Sequence, residues 1–173
     1  MSSAPAPRIK VTRTYLELRA PGALRGAATP ATVPRLERRR PIGSAEYLGL
    51  YTLVGERWAW RDRLRWTEAA LDAHLASDDV HVVVARDGDA VAGYVELQRR
   101  GDDAVEIMYF GLAPAYIGRG LGGWLLTRAA EMAFELGAGR IVLNTCTLDG
   151  PHALPNYLAR GFTIVREEVV EGE

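Results

Sequence analysis

The chain has 173 residues, of which 48% are hydrophobic and 25% charged, and its formal net charge is -1. This length is enough for one domain with a sizeable core, and the near-zero charge argues against a general nucleic-acid or membrane-surface binder, which would normally carry a basic excess. The single cysteine, Cys146, fits a reducing cytoplasm, the three histidines lack metal-ligand spacing, and no apolar run approaches the ~20 residues of a membrane span.

Hydrophobic periodicity predicts the order of the elements. Alternating apolar residues indicate strands, and apolar residues at helical spacing behind a capping side chain indicate helices. From the amino end, the sequence predicts a disordered tail at 1–7 and then one domain over 8–170, made of strand Ile9–Leu18, a crossing loop Ala20–Pro34, a helix capped by Ser44 and ending at Gly55, a helix capped by Thr67, strands Val80–Ala85, Ala90–Gln98 and Val105–Leu112, helix Gly120–Leu136, strand Ile141–Cys146, a short helix near Ala153–Arg160 and a last strand near Phe162–Val165. A strand–helix–strand unit of this length should cross over to a parallel strand, so we expect a mixed sheet with helices packed on it.

A glycine-rich turn, Ile117–Gly123, joins strand Val105–Leu112 to the long helix. Glycines let the backbone approach a ligand closely, and a helix start presents unpaired N–H groups and the positive end of the helix dipole. The turn is therefore a candidate site for a phosphate or pyrophosphate. A tight turn that only packs the helix against the sheet is the alternative interpretation.

The spacing Gly118-x-Gly120-x-x-Gly123 also matches the dinucleotide-binding fingerprint, but its surroundings do not. Residues Leu112–Tyr116 separate the strand from the first glycine, antiparallel strands precede it, and Asn144 stands about twenty residues further on, where an acid is expected. A P-loop is excluded because no Gly-Lys-Ser/Thr follows. A nucleotide-binding protein is therefore the weaker alternative.

Three segments, at normal spacing and in order, resemble the GCN5-related N-acetyltransferase superfamily. They are Tyr109–Pro114, Gly118–Leu126 and Ala153–Phe162, and they cover about residues 105–165. The resemblance implies an α+β fold, with a mixed, mostly antiparallel sheet that splays between its fourth and fifth strands and is flanked by helices. It also implies an enzyme that transfers an acetyl group from acetyl-CoA directly to an amine within a ternary complex.

By this resemblance, two backbone segments would bind coenzyme A. The amides of the turn would hold the pyrophosphate, and the exposed main chain of the fourth strand would pair with the pantetheine arm like an added strand. The implied residues are Ile117, Gly118, Arg119, Gly120, Leu121, Gly122 and Gly123 in the turn, and Phe110, Gly111 and Leu112 in the strand. Ile117 departs from the family's Gln or Arg, so a side-chain contribution is lost there. Pro155 requires that the short helix begin at about His152 or beyond.

Amine attack on a thioester needs an acid for the leaving thiolate and a base for the amine proton. The resemblance makes Tyr157, four residues before Gly161, the candidate acid, with a packed core tyrosine as the alternative. It makes Glu106 the candidate base, because the histone-acetyltransferase branch places its glutamate at the same offset from its glycine motif. A solvated strand glutamate is the alternative for Glu106.

Strand alternation predicts that Glu106, Met108 and Phe110 share one face. A hairpin centred on Gly101 would also pair Glu96 with Glu106. Two facing carboxylates raise the pKa of one of them, which would suit a base that works near neutral pH.

Aromatic residues precede the second helix where the family builds its acceptor wall. Trp58 and Trp60 are the candidate acceptor-binding residues there, although packing in the core is the alternative. The neighbouring arginines would favour an acceptor with a carboxylate or phosphate. Cys146 could act as a nucleophile and His152 could assist proton transfer, but a packed cysteine and a helix-start histidine fit the pattern better.

The expected partners are acetyl-CoA and an unidentified amine, without nucleic acid or membrane. Because members of this family are often dimers, a homodimer is also to be considered. A protein that keeps the fold as an acyl-CoA sensor without turnover is the alternative function.

Overall fold

Seven strands form one sheet in the part of the chain that the structure describes. The computed structural model describes residues 8–101 and 103–172, so the tail predicted at 1–7 lies outside the described residues. The strands are β1 Ile9–Leu18, β2 Arg35–Arg38, β3 Val80–Asp87, β4 Ala90–Arg100, β5 Ala104–Leu112, β6 Arg140–Cys146 and β7 Thr163–Gly172. They lie in the order β2-β3-β4-β5-β6-β1-β7, and only β5 and β6 are parallel neighbours. The predicted mixed, mostly antiparallel sheet is confirmed.

The described residues also form four α-helices, which are α1 Ser44–Gly55, α2 Glu68–Ala76, α3 Leu121–Glu135 and α4 Ala153–Ala159. Thr67 caps α2 as predicted, because its Oγ1 accepts a hydrogen bond from the Ala70 N–H at 3.1 Å. The cap predicted for α1 is wrong by one residue. Gly43 is the N-cap, and the Ser44 N–H donates instead to the Asp72 carboxylate on α2 at 2.8 Å.

Strand β1, from the start of the chain, completes the C-terminal half of the sheet. It lies between β6 and β7 and is antiparallel to both, so that Leu16 faces Leu143 on one side and Ile164 on the other. Leu16 and Leu18 are fully buried, and each such leucine contributes about 1.5–3 kcal/mol through burial. Periodicity along the chain predicts that β1 is a strand, but long-range pairing sets its position between β6 and β7.

Each face of the sheet carries its own apolar core. The face covered by α3 and α4 buries a cluster that includes Leu16, Leu97, Ile107, Trp124, Leu125, Ala129, Ile141 and Phe162. The face covered by α1 and α2 buries a second cluster that includes Tyr47, Leu50, Tyr51, Val54, Leu71, Val82 and Tyr94. The sheet therefore separates a helix pair rich in small and aliphatic residues from one rich in tyrosines.

A β-bulge in β5 changes which side chains share a face. Glu96 pairs with Tyr109 but Leu97 pairs with Ile107, so Met108 is one extra residue on β5. After the bulge, Tyr109 packs in the α1/α2 cluster and Phe110 against the α3/α4 cluster. The prediction that Glu106, Met108 and Phe110 share a face is therefore wrong for Phe110.

Strands β5 and β6 separate soon after they begin. They pair only from Ala104 with Arg140 to Glu106 with Val142. From Ile107 to Leu112, β5 remains paired with β4 on its other edge, whereas no pairing with β6 continues. The opening between the two strands, here called the splay, lies where the family resemblance implies it, because β5 and β6 are the fourth and fifth of the predicted strands.

Candidate active site

The glycine-rich turn enters α3 through two left-handed residues. Gly118 has φ +82° and Gly120 has φ +74°, a region in which an L side chain costs roughly 1–2 kcal/mol. A Cβ atom at either position would meet no atom within 4 Å. Both glycines are thus needed by the backbone, and the turn presents open space on its outer side.

The start of α3 is available to an anion. Gly120 is the N-cap and offers no side chain, so the first-turn N–H groups of Leu121, Gly122 and Gly123 have no intrahelical acceptor. The helix has 15 residues, and its dipole places about half a positive charge at this end. A pyrophosphate would find both hydrogen-bond donors and a favourable field here.

Gly123 has a different reason to be glycine. A Cβ there would lie 2.6 Å from Arg160 Nη1 and 2.9 Å from the Ala27 Cβ. Gly123 therefore lets α3 pack closely on the end of α4 and on the crossing loop. The packing interpretation applies to Gly123, whereas Gly118 and Gly120 face open space.

Side-chain contacts hold the turn from outside. The Arg119 guanidinium lies 4.9 Å from the centre of the Tyr116 ring, and the Tyr116 hydroxyl donates to the Asp87 carboxylate at 2.9 Å. The Ile117 N–H donates to the Pro114 carbonyl at 3.3 Å. The turn is therefore tied to the β3–β4 hairpin through Tyr116 and Asp87.

Tyr157 lies beside the splay, on α4. Its ring centre is 6.3 Å from that of Phe110 on β5 and 6.0 Å from that of Phe162. Burial, with a smaller contribution from Asp149, raises the pKa of Tyr157 well above its ordinary value. A tyrosine in this state keeps its proton at neutral pH, as a proton donor must.

Pro155 is the third residue of α4, where its missing N–H breaks no helical hydrogen bond.

Glu106 lies at the vertex of the splay, in the last pair that joins β5 to β6. Its carboxylate forms an ion pair with Arg100, whose guanidinium also contacts the Met108 sulfur at 3.2 Å. The Glu106 side chain keeps 17% of its surface exposed. The candidate base is therefore half-buried beside the bulge and charge-compensated by an arginine.

The predicted pairing of Glu96 with Glu106 is wrong. The hairpin pairs Arg100 with Ala104, which puts Glu106 opposite Gln98, and beyond the bulge Glu96 faces Tyr109. Glu96 is fully buried and lies 2.7 Å from the Arg63 guanidinium and 2.9 Å from His74 Nε2. It also accepts a hydrogen bond from the Tyr47 hydroxyl.

The charge partners of Glu96 reverse the predicted effect on its pKa. Burial alone would raise the pKa of this carboxyl, but His74, Arg63 and Tyr47 together hold it below its ordinary value. Glu96 is therefore a buried carboxylate in an ion pair, and it does not face Glu106.

Arg63, His74 and Tyr47 are polar residues of this cluster that sequence reasoning missed. The Arg63 guanidinium lies between two rings, 4.2 Å from the centre of Trp66 and 5.1 Å from that of Tyr109. The one feature of the sequence that pointed to this cluster was the arginine-rich aromatic segment between α1 and α2. No local pattern distinguishes the buried Arg63 from the exposed arginines on either side of it.

The two tryptophans predicted at the acceptor wall have different surroundings. Trp60 packs in the α1/α2 cluster, with ring centres 5.5 Å from Tyr51 and 5.0 Å from Tyr109. Trp58 leaves that cluster, and its ring lies against Gly150 in the β6–α4 loop. Trp60 is therefore largely a core residue, as the alternative interpretation predicts. Trp58, in contrast, extends across the splay to the β6–α4 loop.

Cys146 and His152 occupy positions that suit their structural alternatives. Cys146 is half-buried at the end of β6, opposite Arg13, and its N–H donates to the Asp149 carboxylate at 3.0 Å. His152 is the exposed N-cap residue of α4. Among the described residues, no helix is both long and apolar enough to cross a membrane.

The fold is shared with solved acetyltransferase structures. A GCN5-related N-acetyltransferase from Sphaerobacter thermophilus superposes with a TM-score of 0.63 at 14% identity, over 94% of this chain and 51% of that chain. An aminoglycoside acetyltransferase from an uncultured soil metagenomic sample superposes with a TM-score of 0.58 at 16% identity, over 73% of this chain and 86% of that chain. The α+β fold with its splayed sheet is therefore that of the GCN5-related acetyltransferases.

Sequence comparison gives the family. The Acetyltransferase (GNAT) family model matches residues 47–162, and the chain belongs to this family. A mycothiol acetyltransferase of Corynebacterium efficiens is 33% identical over 66% of this chain and 38% of that protein. The N-alpha-acetyltransferase RimI of Mycobacterium tuberculosis is 35% identical over 56% of this chain and 61% of that protein. The chain thus aligns with less than two thirds of either relative.

Proposed function

We propose that this protein transfers an acetyl group from acetyl-CoA to a primary amine of a small molecule or peptide, directly within a ternary complex. One observation carries the proposal. The part of β5 that leaves β6 runs toward the left-handed glycines at the start of α3, with Tyr157 beside it. Family membership supports acetyl-CoA as the donor, and the name of the RimI relative, an N-alpha-acetyltransferase, supports an amine acceptor.

The backbone supplies the donor site. The N–H groups of Gly118–Gly123 would bind the pyrophosphate, and the main chain of Phe110, Gly111 and Leu112 would pair with the pantetheine amides as a sheet edge pairs with an added strand. The carbon–sulfur bond of the thioester would then lie in the splay, between the bulge in β5 and the Tyr157 ring.

The chemistry divides between two side chains. The amine nitrogen attacks the carbonyl carbon, a carbon–nitrogen bond forms and the carbon–sulfur bond breaks. Glu106, directly or through a water molecule, takes the proton that the amine must lose, and Tyr157 donates a proton to the leaving thiolate. Glu96 has no part in this scheme, because its carboxylate is occupied by Arg63, His74 and Tyr47.

Thiol release from acetyl-CoA in the presence of a panel of amines tests the proposal, with a thermal-shift measurement on the same protein. We expect acetyl-CoA to raise the midpoint and at least one amine to produce free thiol. A midpoint shift without turnover on any amine would support the acyl-CoA sensor. A shift with NAD or ATP but not with coenzyme A would indicate a nucleotide-binding protein.

A further inference from the structure

Two tryptophans that are separated by one residue contact opposite sides of the splay. Trp60 packs on β5, where its Cη2 would lie 3.7 Å from a Cβ added at Gly111. Trp58 packs beyond the end of β6, where its ring atoms would lie 2.8–3.2 Å from a Cβ added at Gly150. Because β5 and β6 are parallel, both contacts lie at the same end of the sheet, where the splay is widest.

This crossing segment, residues 56–62, is here called the strap, and it is anchored at both ends. On one side, Trp60 fills the space above Gly55, where a Cβ would lie 2.3 Å from the indole. On the other side, the strap ends at Arg63, which is held by the buried carboxylate of Glu96. Between the anchors, Ala59 has φ +58°, and this left-handed turn directs Trp58 away from the core.

The surface that receives Trp58 is also fixed. The Asp149 carboxylate accepts hydrogen bonds from the Thr145 hydroxyl and from the Cys146 N–H, so the loop before Gly150 is folded back on the end of β6. The Asp149 N–H closes the same turn on the Cys146 carbonyl at 2.9 Å. An anchored strap thus meets an anchored loop through one indole ring and one glycine.

We infer that Trp58 and Gly150 form a gate that selects acceptors by width, an inference that rests on the proposed acetyl transfer. With the gate closed over the wide end of the splay, an amine has to enter over β6, past the exposed Asn144, toward Glu106 at the vertex. That route suits a primary amine on an unbranched chain and disfavours one carried on a ring. The residue type at 150 matters because any Cβ there would lie 2.8 Å from the nearest atom of the indole.

Hexylamine and cyclohexylamine, two amines with equal numbers of carbons, test the gate. We expect the parent to have a higher kcat/KM for hexylamine. In Trp58→Ala, the kcat/KM of cyclohexylamine relative to hexylamine should rise by about tenfold or more, with the KM of acetyl-CoA unchanged within about twofold. Trp58→Phe should fall between the two, and Leu64→Ala, an exposed apolar change close to the strap, should leave the ratio at the parent value.

Gly150→Ala reaches the gate from the other side. It adds one methyl group under the indole at a backbone position without positive φ, so it should release Trp58 without unfolding the loop. Its effect should be absent in a Trp58→Ala background, because both changes act through one contact. Turnover with an unchanged ratio in Trp58→Ala and Gly150→Ala, or an equal change in Leu64→Ala, would overturn the gate. Absence of turnover by the parent with every amine tried would instead overturn the proposed function, and the gate with it.

Discussion

The Arg63 guanidinium lies 2.7 Å from the Glu96 carboxylate, and the two side chains are 4% and 0% exposed. The pair joins the loop before α2 to β4, an interior strand of the sheet. It also holds Arg63 between the rings of Trp66 and Tyr109. One buried ion pair therefore fixes the loop before α2 to the sheet.

Removing either partner alone should destabilise the protein. Glu96→Gln or Arg63→Met leaves a charge buried without its partner, which typically costs about 3–5 kcal/mol. The double variant should lose less than the sum of the two single losses. Urea unfolding of the three variants measures this. Glu131→Gln, which breaks an exposed ion pair on α3, is the control and should barely move the midpoint. Additive losses would show that Arg63 and Glu96 act independently.

Glu96 also makes stability depend on pH. Because its pKa is lower in the folded protein than in the unfolded chain, it stabilises the fold above the unfolded value of about 4.3, and this stabilisation is lost as the pH falls through the folded value. The parent should therefore lose more unfolding free energy between pH 6 and about pH 3 than Glu96→Gln does. Equal losses in both proteins would assign the acid dependence to other carboxylates.

The two ends of α3 provide a matched test of the coenzyme A site. Gly120 and Gly137 both have positive φ, +74° and +92°, and a Cβ at either would meet open space. Gly120→Val and Gly137→Val should therefore destabilise the protein similarly. Only Gly120→Val should weaken acetyl-CoA binding, by about tenfold or ~1.4 kcal/mol, as measured by calorimetry. Unchanged affinity in folded Gly120→Val would refute the placement of the pyrophosphate.

Tyr157→Phe separates proton donation from packing. The variant keeps the ring between Phe110 and Phe162 and removes only the hydroxyl. Turnover should fall by roughly 10²-fold with little change in acetyl-CoA affinity. Because the pKa of Tyr157 is raised, the parent should show no alkaline loss of activity from this residue below about pH 10. Tyr94→Phe, a matched change in the other core, is the control. Parallel losses of binding and stability would make Tyr157 a packing residue.

Glu106→Gln tests the candidate base. The amide keeps the size of the side chain but cannot accept the amine proton, so the rate at neutral pH should fall and partly recover at high pH, where free amine is abundant. Glu37→Gln changes another half-buried strand glutamate that pairs with arginine, far along the sheet, and should leave the profile unchanged. The kcat/KM of all three proteins as a function of pH is the measurement. If Glu106→Gln has the same pH profile as the parent, Glu106 is not the base, and a water chain or another residue accepts the amine proton.

Much of the fold follows from local pattern. Apolar patterns, alternating in β1 and continuous in β3, predict β1, β3, β4, β5 and β6 almost to their observed ends, and helical spacing with its stop glycines predicts α1 and α3. The left-handed glycines at 118 and 120 are also a local requirement, since backbone geometry alone demands them. Strand β2 escaped prediction because Arg35–Arg38 holds one apolar residue among charges and depends on pairing with β3. The last strand was predicted too short.

Within the candidate site, the sequence determined which residues stand at the glycine turn, on α4 and on β5, because their spacing is short-range. Only the tertiary structure decided which side chains pair across the strands and which face of the sheet each side chain occupies. One extra residue at Met108 directs Phe110 toward α3 and α4, and the hairpin register places Glu106 opposite Gln98 and not opposite Glu96. The partners of Glu96 come from α1, α2 and the loop between them, and those of Trp58 from beyond β6. Such contacts join residues that are tens of positions apart. They are therefore determined by strand register and packing across the sheet, and periodicity along the chain does not predict them.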